Sequence, residues 1–560
     1  MMGCNTIVDL MCSPIRSFED LSSWQVPELS WAESVINLKS KTSHCIAGKD
    51  WSCKKVPPLN VSKFYRESVP KTLLCHDMKG GYLNDRFVNG AASSDDYKFI
   101  HWSGIDVFVY FSHEFITVPP LAWINAGHRH GVLVLGTVIT EKEEGENLWE
   151  TVLSNEEKVQ LLLLKLTAVC NHYRFDGYLL NIENKISPAK IPSLVTFVSR
   201  LKNSLGADKL VIWYDSVTYP EGKLAWQDEL NNSNRKFFEA CDGIYLNYGW
   251  NEEKLKASVI RAGARVNDVY VGVDVFGRGC YGGGEFNSVV AVSKVREMNL
   301  SVAIFAPAWT HECQNESLDY VQREMKFWEL LWPYLYLHGP VSLPFSTSFC
   351  QGVGHKIFSE GEALSDSSWY NLAKQEYQLT KPSCTEDACC EQNVQKCVRY
   401  SYNCAYKGGC SLLFTKHPDI NTYRLFMCGF ANDGTVSLKL LFAVKAFDDS
   451  KKIDYNLSLI INDSLETSGQ TKTTSCKNAK NKNLVLKNGD FIANEEDYSA
   501  IVVNSESLKV VNNWNINQYK FNYRGILTDI FITVPDQCEP FLIGFLQLEK
   551  NQFVIADNYF

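Results

Sequence analysis

The sequence predicts an α/β plus β architecture: a (β/α)8 barrel of the TIM type followed by one or two β-sandwich domains. Two observations carry this reading. Between about residues 100 and 350, short β-rich runs alternate with helical stretches, the order that builds a parallel sheet with helices outside it. Past residue 410 long helices disappear, and apolar runs are separated by turns rich in Asn, Lys, Ser and Gly, the pattern of a sandwich.

The barrel strands are expected at 105–111, 131–139, 177–183, 210–215, 243–248, 269–276 and 302–307. Each is dense in Val, Ile, Leu, Phe or Tyr, and most begin at or after Gly, Asp or Ser, as buried parallel strands do. An eighth, short strand is expected at 343–349. Ser154-Asn155-Glu156-Glu157 reads as a capping box ahead of a helix over 159–169. Further helices are expected over 192–205, 252–264, 289–298 and 318–335. This span suits a closed barrel, typically about 250 residues, better than an open doubly wound sheet. No G-x-G-x-x-G loop follows the early strands; the one match, Gly277, Gly279 and Gly282, follows the sixth and is a weak nucleotide signal.

Strands of the C-terminal region are expected at 436–446, 455–461, 483–486, 500–503, 525–534 and 541–548. The expected organisation is a loop-rich extension packing on the barrel over 1–95, the barrel over 96–365 and the sandwich region over 366–560.

Composition narrows the function classes. Apolar residues make up 45% and charged residues 21%, so the chain can bury a core. The net charge of −9, with no basic block, argues against a nucleic-acid partner. No apolar run is long enough for a membrane span, and the first residues lack the basic and apolar regions of a secretory signal. Reduced thiols in the cytosol are therefore expected for the nineteen cysteines. Six of these fall between Cys384 and Cys410 without a C-x-x-C pair or a His among them, which favours packing over a zinc site. No metal and no cofactor is expected.

Chemistry in such a barrel gathers where strands end at the C-terminal face. The informative strand reads Asp176-Gly177-Tyr178-Leu179-Leu180-Asn181-Ile182-Glu183. Side chains alternate along a strand, so Leu179, Asn181 and Glu183 share one face, and the apolar Tyr178, Leu180 and Ile182 share the other. Asn181 and Glu183 have Cα atoms about 6.6 Å apart. A carboxyl there can donate a proton if burial raises its pKa. An amide beside it is neither a base nor a good nucleophile, but it can hold and polarise another amide. The pair points to a reaction in which the substrate's own acetamide attacks, as when a 2-acetamido sugar closes to an oxazoline. The alternative is a buried polar pair satisfying itself. Phe276 and Trp309, at strand ends, are candidates for stacking on sugar faces. His113, His128, His130 and His311 show no metal spacing.

The D-G-x-x-x-N-x-E strand closely resembles that of cytosolic endo-β-N-acetylglucosaminidases of glycoside hydrolase family 85. It also echoes the chitinase strand D-G-x-D-x-D-x-E, with Leu179 and Asn181 in place of two aspartates. Further segments resemble the same family: Trp123-Ile124-Asn125-Ala126-Gly127-His128-Arg129-His130-Gly131, Trp213-Tyr214-Asp215-Ser216, Leu224-Ala225-Trp226-Gln227, and Gly272-Val273-Asp274-Val275-Phe276-Gly277-Arg278-Gly279. The likeness spans roughly 75–355. It implies cleavage of the β-1,4 bond between the two GlcNAc units of the N-glycan core, on N-linked oligosaccharides, glycopeptides or free oligosaccharides in the cytosol. It implies Glu183 as acid/base, Asn181 as the residue that orients the acetamide and stabilises the oxazolinium, and Tyr214 as a further group holding the acetamide. Trp226 and Trp250 would line the sugar cleft, and His113, Asn247, Phe276 and Trp309 complete the expected substrate contacts. Transfer to a sugar acceptor could replace hydrolysis. Two alternatives stand beside this one: a carbohydrate-binding protein on a catalytically dead barrel, and a chitinase-like hydrolase.

Overall fold

The computed structural model describes residues 10–42, 45–46, 69–313, 318–381, 398–415, 422–448, 453–462, 481–487, 491–492, 500–535 and 538–551. Its centre is a closed barrel of eight parallel strands. These are β1 (Thr72–His76), β2 (Val107–Tyr110), β3 (Leu133–Glu141), β4 (Gly177–Glu183), β5 (Leu210–Tyr214), β6 (Gly243–Leu246), β7 (Val269–Asp274) and β8 (Ser301–Phe305). They neighbour one another in sequence order from β2 to β8. β1 closes the ring between β8 and β2, pairing Leu73 with Ala303 on one side and with Val107 on the other.

Seven of these strands are the expected ones; the eighth is not. Residues Phe345–Thr347 pair antiparallel with Phe541–Lys550 in the C-terminal sheet, and β1 takes the barrel position. The barrel thus starts upstream of residue 96. β1 is wholly buried, but no α-helix joins it to β2, so the βα rhythm that reveals the other strands is missing. The helix start at 154–157 also differs. Ser154 ends one helix (Lys142–Leu153), and Asn155 caps the next (Glu156–Tyr173) by accepting from the N–H groups of Glu157 and Lys158. The glycines at 277, 279 and 282 all take positive φ in a tight turn, where a Cβ on Gly277 would meet Gly283 O at 2.1 Å. They shape a loop after β7.

Two apolar layers follow from strand alternation. Leu73, Val109, Leu135, Leu179 and Ile212 fill the barrel interior. Leu74, Phe108, Val134, Tyr178 and Leu180 face outward into the larger core under the helices. Side chains, not a pore, occupy the barrel axis, so space opens only where the inward series turns polar at the strand ends.

The C-terminal region is an antiparallel sheet folded over itself. Its long strand Trp514–Thr533 pairs through its first half with Leu438–Ala446 and Ala500–Val511. Through its second half it pairs with Thr422–Asp433 and Asn456–Asn462. Phe442, Leu457, Phe521, Ile530 and Leu546 pack between the two layers so formed. Residues 10–42 run along the barrel flank, where the Lys41 ammonium meets Asp106 at 2.9 Å in a buried pair. Described cysteines are free thiols, eight of them buried; Cys384, Cys389, Cys390 and Cys397 lie outside the described residues. Among the described residues no helix is long and apolar enough to cross a membrane.

Candidate active site

At the C-terminal face of the barrel lies a cavity of about 290 Å³, lined by residues from the C-terminal halves of the strands and the loops just past them, with Leu179 at its floor. β1 contributes Cys75 and Asp77, β2 Phe111 and His113, and β4 Leu179, Asn181 and Glu183. Tyr214 follows from β5, Tyr245 and Tyr248 from β6, Asp274 and Arg278 from β7, and Phe305 from β8. Parallel strands point the same ends toward one face, which is why residues far apart in sequence converge.

Glu183 is held at both carboxyl oxygens. Asn181 Nδ2 donates to its Oε2 at 3.0 Å, and Trp226 Nε1 donates to its Oε1 at 3.2 Å. Burial pushes the carboxyl above its ordinary pKa. The two N–H donors pull the other way, Glu141 adds to the rise, and His113 opposes it. A carboxyl so placed can hold a proton above the usual carboxylate range and still be stabilised after losing it.

Tyr214 is buried, and its hydroxyl donates to Asn247 Oδ1 at 2.8 Å. Asn247 Nδ2 in turn donates to Asp228 Oδ1 at 2.7 Å. His113 stands at the rim, 3.8 Å from both Asp77 and Glu141 carboxylate oxygens. Trp226 is 43% exposed and reaches Glu183 from a loop that Asp215 gathers by accepting from Gln227 N, Asp228 N and Asn234 Nδ2. Burial drives the Asp215 pKa up to about 7, against the pull of those donors.

The structure thus brings together Glu183, Asn181, Tyr214, His113, Trp226 and Asn247. Of these, Trp226 and Asn247 reach the cavity through their hydrogen bonds to Glu183 and Tyr214; the side chains of the other expected contacts neither line it nor hydrogen-bond to a residue that does. Trp250 is buried, donates its indole N–H to Gly272 O at 2.7 Å and stacks on Tyr281. Trp309 is 5% exposed and packs edge-on to Phe286. Phe276 lies beneath the Arg278 guanidinium, 5.3 Å from its ring centre. Conversely, Asp77, Tyr245 and Tyr248 line the cavity without having been named as substrate contacts, beside the Asp274–Arg278 pair. Tyr248 ends a recognisable strand, and Asp274 with Arg278 lies in a segment that resembles the family; those were their signals. Asp77 had none, because β1 is not legible.

Of the carboxylates that could partner Glu183, Asp274 is engaged by Arg278 at 2.8 and 3.1 Å, and Asp215 by the loop. Glu141 lies in register with Glu183 on the adjacent strand, on the same side of the barrel mouth and not across it. Among the described residues no cluster of His, Cys, Asp and Glu is arranged to hold a metal ion.

Comparison with known proteins agrees with the resemblance carried by the strand motif. Residues 82–357 match the family model Glycosyl hydrolase family 85. The chain is 46% identical to a cytosolic endo-beta-N-acetylglucosaminidase of Mus musculus, over 58% of this chain and 44% of that protein. It is 44% identical to the Homo sapiens protein of the same name, over 65% and 47%, and 41% identical to that of Danio rerio, over 69% and 53%. The chain therefore spans about half the length of the curated relatives it matches. Among solved structures, the glycoside hydrolase domain of Endo-D from Streptococcus pneumoniae superposes with a TM-score of 0.65. It covers 97% of this chain and 84% of that one at 18% identity, a likeness of fold.

Proposed function

From a barrel that matches glycosyl hydrolase family 85, we propose that this chain is an endo-β-N-acetylglucosaminidase. It cuts the β-1,4 bond between the two GlcNAc units of the N-glycan core and leaves one GlcNAc on the peptide or free sugar. Its setting is the cytosol, as the names of the relatives suggest, and its substrates are glycopeptides or free oligosaccharides, including those from misfolded glycoproteins.

The observation that carries this reading is the Asn181–Glu183 pair, with Trp226 on the second carboxyl oxygen. In the first step Glu183 gives its proton to the glycosidic oxygen as the C1–O bond breaks. The acetamide carbonyl oxygen of the same sugar bonds to C1, forming an oxazolinium. Asn181 and Tyr214 hold the acetamide for that attack. In the second step the Glu183 carboxylate takes a proton from water, which bonds to C1 and reopens the ring with retained configuration. A sugar hydroxyl in place of water gives transfer. A retaining mechanism with two carboxylates needs the second one across the bond, about 5–5.5 Å from the first. The side-by-side register of Glu141 and Glu183 favours the acetamide as nucleophile. The acid in place, with its proton-holding environment, also favours an enzyme over a binding-only barrel, and the chitinase-like reading lacks its two aspartates.

The test is mass spectrometry of a high-mannose glycopeptide incubated with the protein and with Glu183→Gln. We expect a product that keeps one GlcNAc, lowered about 10²- to 10⁴-fold in the variant. Binding without cleavage by the parent protein would instead establish a lectin, and cleavage of chitin oligomers alone a chitinase-like enzyme.

A further inference from the structure

Asp228 sits in the left-handed region at φ +58°, a conformation that an Asp tolerates better than most residues but that still needs holding. It is held at its N–H and at both carboxylate oxygens. Its N–H donates to Asp215 Oδ2 at 2.7 Å. Its Oδ1 accepts from Gly249 N at 3.0 Å and from Asn247 Nδ2 at 2.7 Å, and its Oδ2 meets the Lys254 ammonium at 2.9 Å. None of these carboxylate partners is an acceptor.

That fact orients the next two groups. A carboxylate paired with an ammonium can only accept, so Asn247 must turn its NH2 toward Asp228. The Asn247 carbonyl oxygen is then left facing Tyr214, whose single hydroxyl hydrogen goes to it. With that hydrogen committed, Tyr214 presents lone pairs, not a proton, to the cavity it lines.

We propose that Asp228 is a positioning residue that fixes the Tyr214 hydroxyl as a hydrogen-bond acceptor toward the substrate acetamide N–H. The inference rests on the substrate-assisted reading above and adds a direction to it. The acetamide carbonyl oxygen is the atom that must bond to C1 while Glu183 protonates the departing oxygen. A donor on that carbonyl would take one of its two lone pairs and draw electron density from the oxygen that must attack. An acceptor on the N–H holds the amide and leaves the carbonyl oxygen free. As the ring closes, positive charge spreads over the N–C–O unit, so the N–H becomes a stronger donor. The bond to Tyr214 then strengthens in the transition state, where a contact raises kcat and not only affinity.

The test is a pair of variants read by KM, kcat and melting temperature. Asp228→Asn can donate to Asn247, letting that amide turn over and releasing the Tyr214 hydrogen. Its kcat on the glycan is expected to fall roughly 10- to 100-fold, the range for losing an outer group that orients a site, with KM nearly unchanged. Its hydrolysis of a preformed sugar oxazoline should fall less. The exchange Asp228→Asn with Asn247→Asp restores an acceptor to Tyr214 and is expected to recover most of kcat. A parental kcat in the single variant, or an exchange no better than the single when both melt as the parent does, overturns the proposal. If the single variant does not fold, Asn247→Leu frees the Tyr214 hydrogen by another route, and a parental kcat there overturns it equally. A parent that cleaves no glycan defeats the activity reading. In that case, binding of a thiazoline analogue of the ring-closed sugar, measured at a pH where its ring nitrogen is protonated and carries the N–H, decides the positioning role: weaker binding by Asp228→Asn than by the parent supports it, while equal binding, or none by either, overturns it.

Discussion

The barrel and the C-terminal sandwich both bury polar groups, and they do so in opposite ways. In the sandwich, Arg424 and Asp529 meet at 3.0 Å with both side chains almost fully covered, and the Arg424 guanidinium lies over Phe531. Tyr455, Tyr519 and Asn517 form a second closed set at 2.9–3.0 Å. At the barrel mouth, Glu183, Asn181 and Tyr214 are equally well bonded to neighbours, yet each still lines open space. Closed sets spend their hydrogen-bonding capacity on the fold. Sets with one side open keep some for a ligand, and their burial tunes acidity instead of only costing stability.

Changing a group at the open set should alter rates and leave the fold standing. Asn181→Gln keeps an amide but misplaces it, and we expect glycan cleavage to fall about 10²- to 10³-fold, the scale for one misplaced transition-state contact. A preformed oxazoline should be hydrolysed far less impaired. Equal losses on both substrates would show that Asn181 does not act in ring closure.

The reverse should hold in the sandwich. Arg424→Met leaves Asp529 buried without its cation, at a cost of about 3 kcal/mol in urea unfolding. Burial already raises the Asp529 pKa, and Arg424 opposes that rise, so part of the cost can be relieved by protonation at lower pH. Turnover per folded molecule should match the parent. A large fall in turnover with unchanged stability would erase the contrast between the two regions.

The smallest expected effect refines the open set. Glu183 must be protonated to act as the acid, so activity declines as pH rises through its raised pKa. The Trp226 N–H favours the charged carboxyl and pulls that pKa down. Removing it with Trp226→Phe should therefore move the alkaline limb of kcat/KM to higher pH. A limb that stays or moves down would mean that the indole does not bond Glu183 in solution.

How much of this was legible beforehand differs by residue. Asn181 and Glu183 lie two apart on one strand, and the period of two puts both on the face of Leu179. The structure places Leu179 in the barrel interior with the pair above it at the cavity. Trp226 reaches Glu183 from 43 residues away, through a loop gathered by Asp215; the aromatic identity was legible, the contact was not. Trp250 shows the converse. An indole beyond a strand end can face a cleft or the core, and here the core accepts its N–H at Gly272.

The sequence alone determined the barrel's alternating order, the polar end of β4 and the change to antiparallel strands past residue 410, because each is a local pattern of side-chain period and turn chemistry. Only the tertiary structure decided which strand closes the barrel, which aromatics meet the cavity, and that Lys254, Asp228 and Asn247 stand behind Tyr214. Those are contacts between segments that carry no trace of one another in their spacing. They are settled by ring closure, which forces eight strand ends to one face, and by the demand that every buried donor find an acceptor.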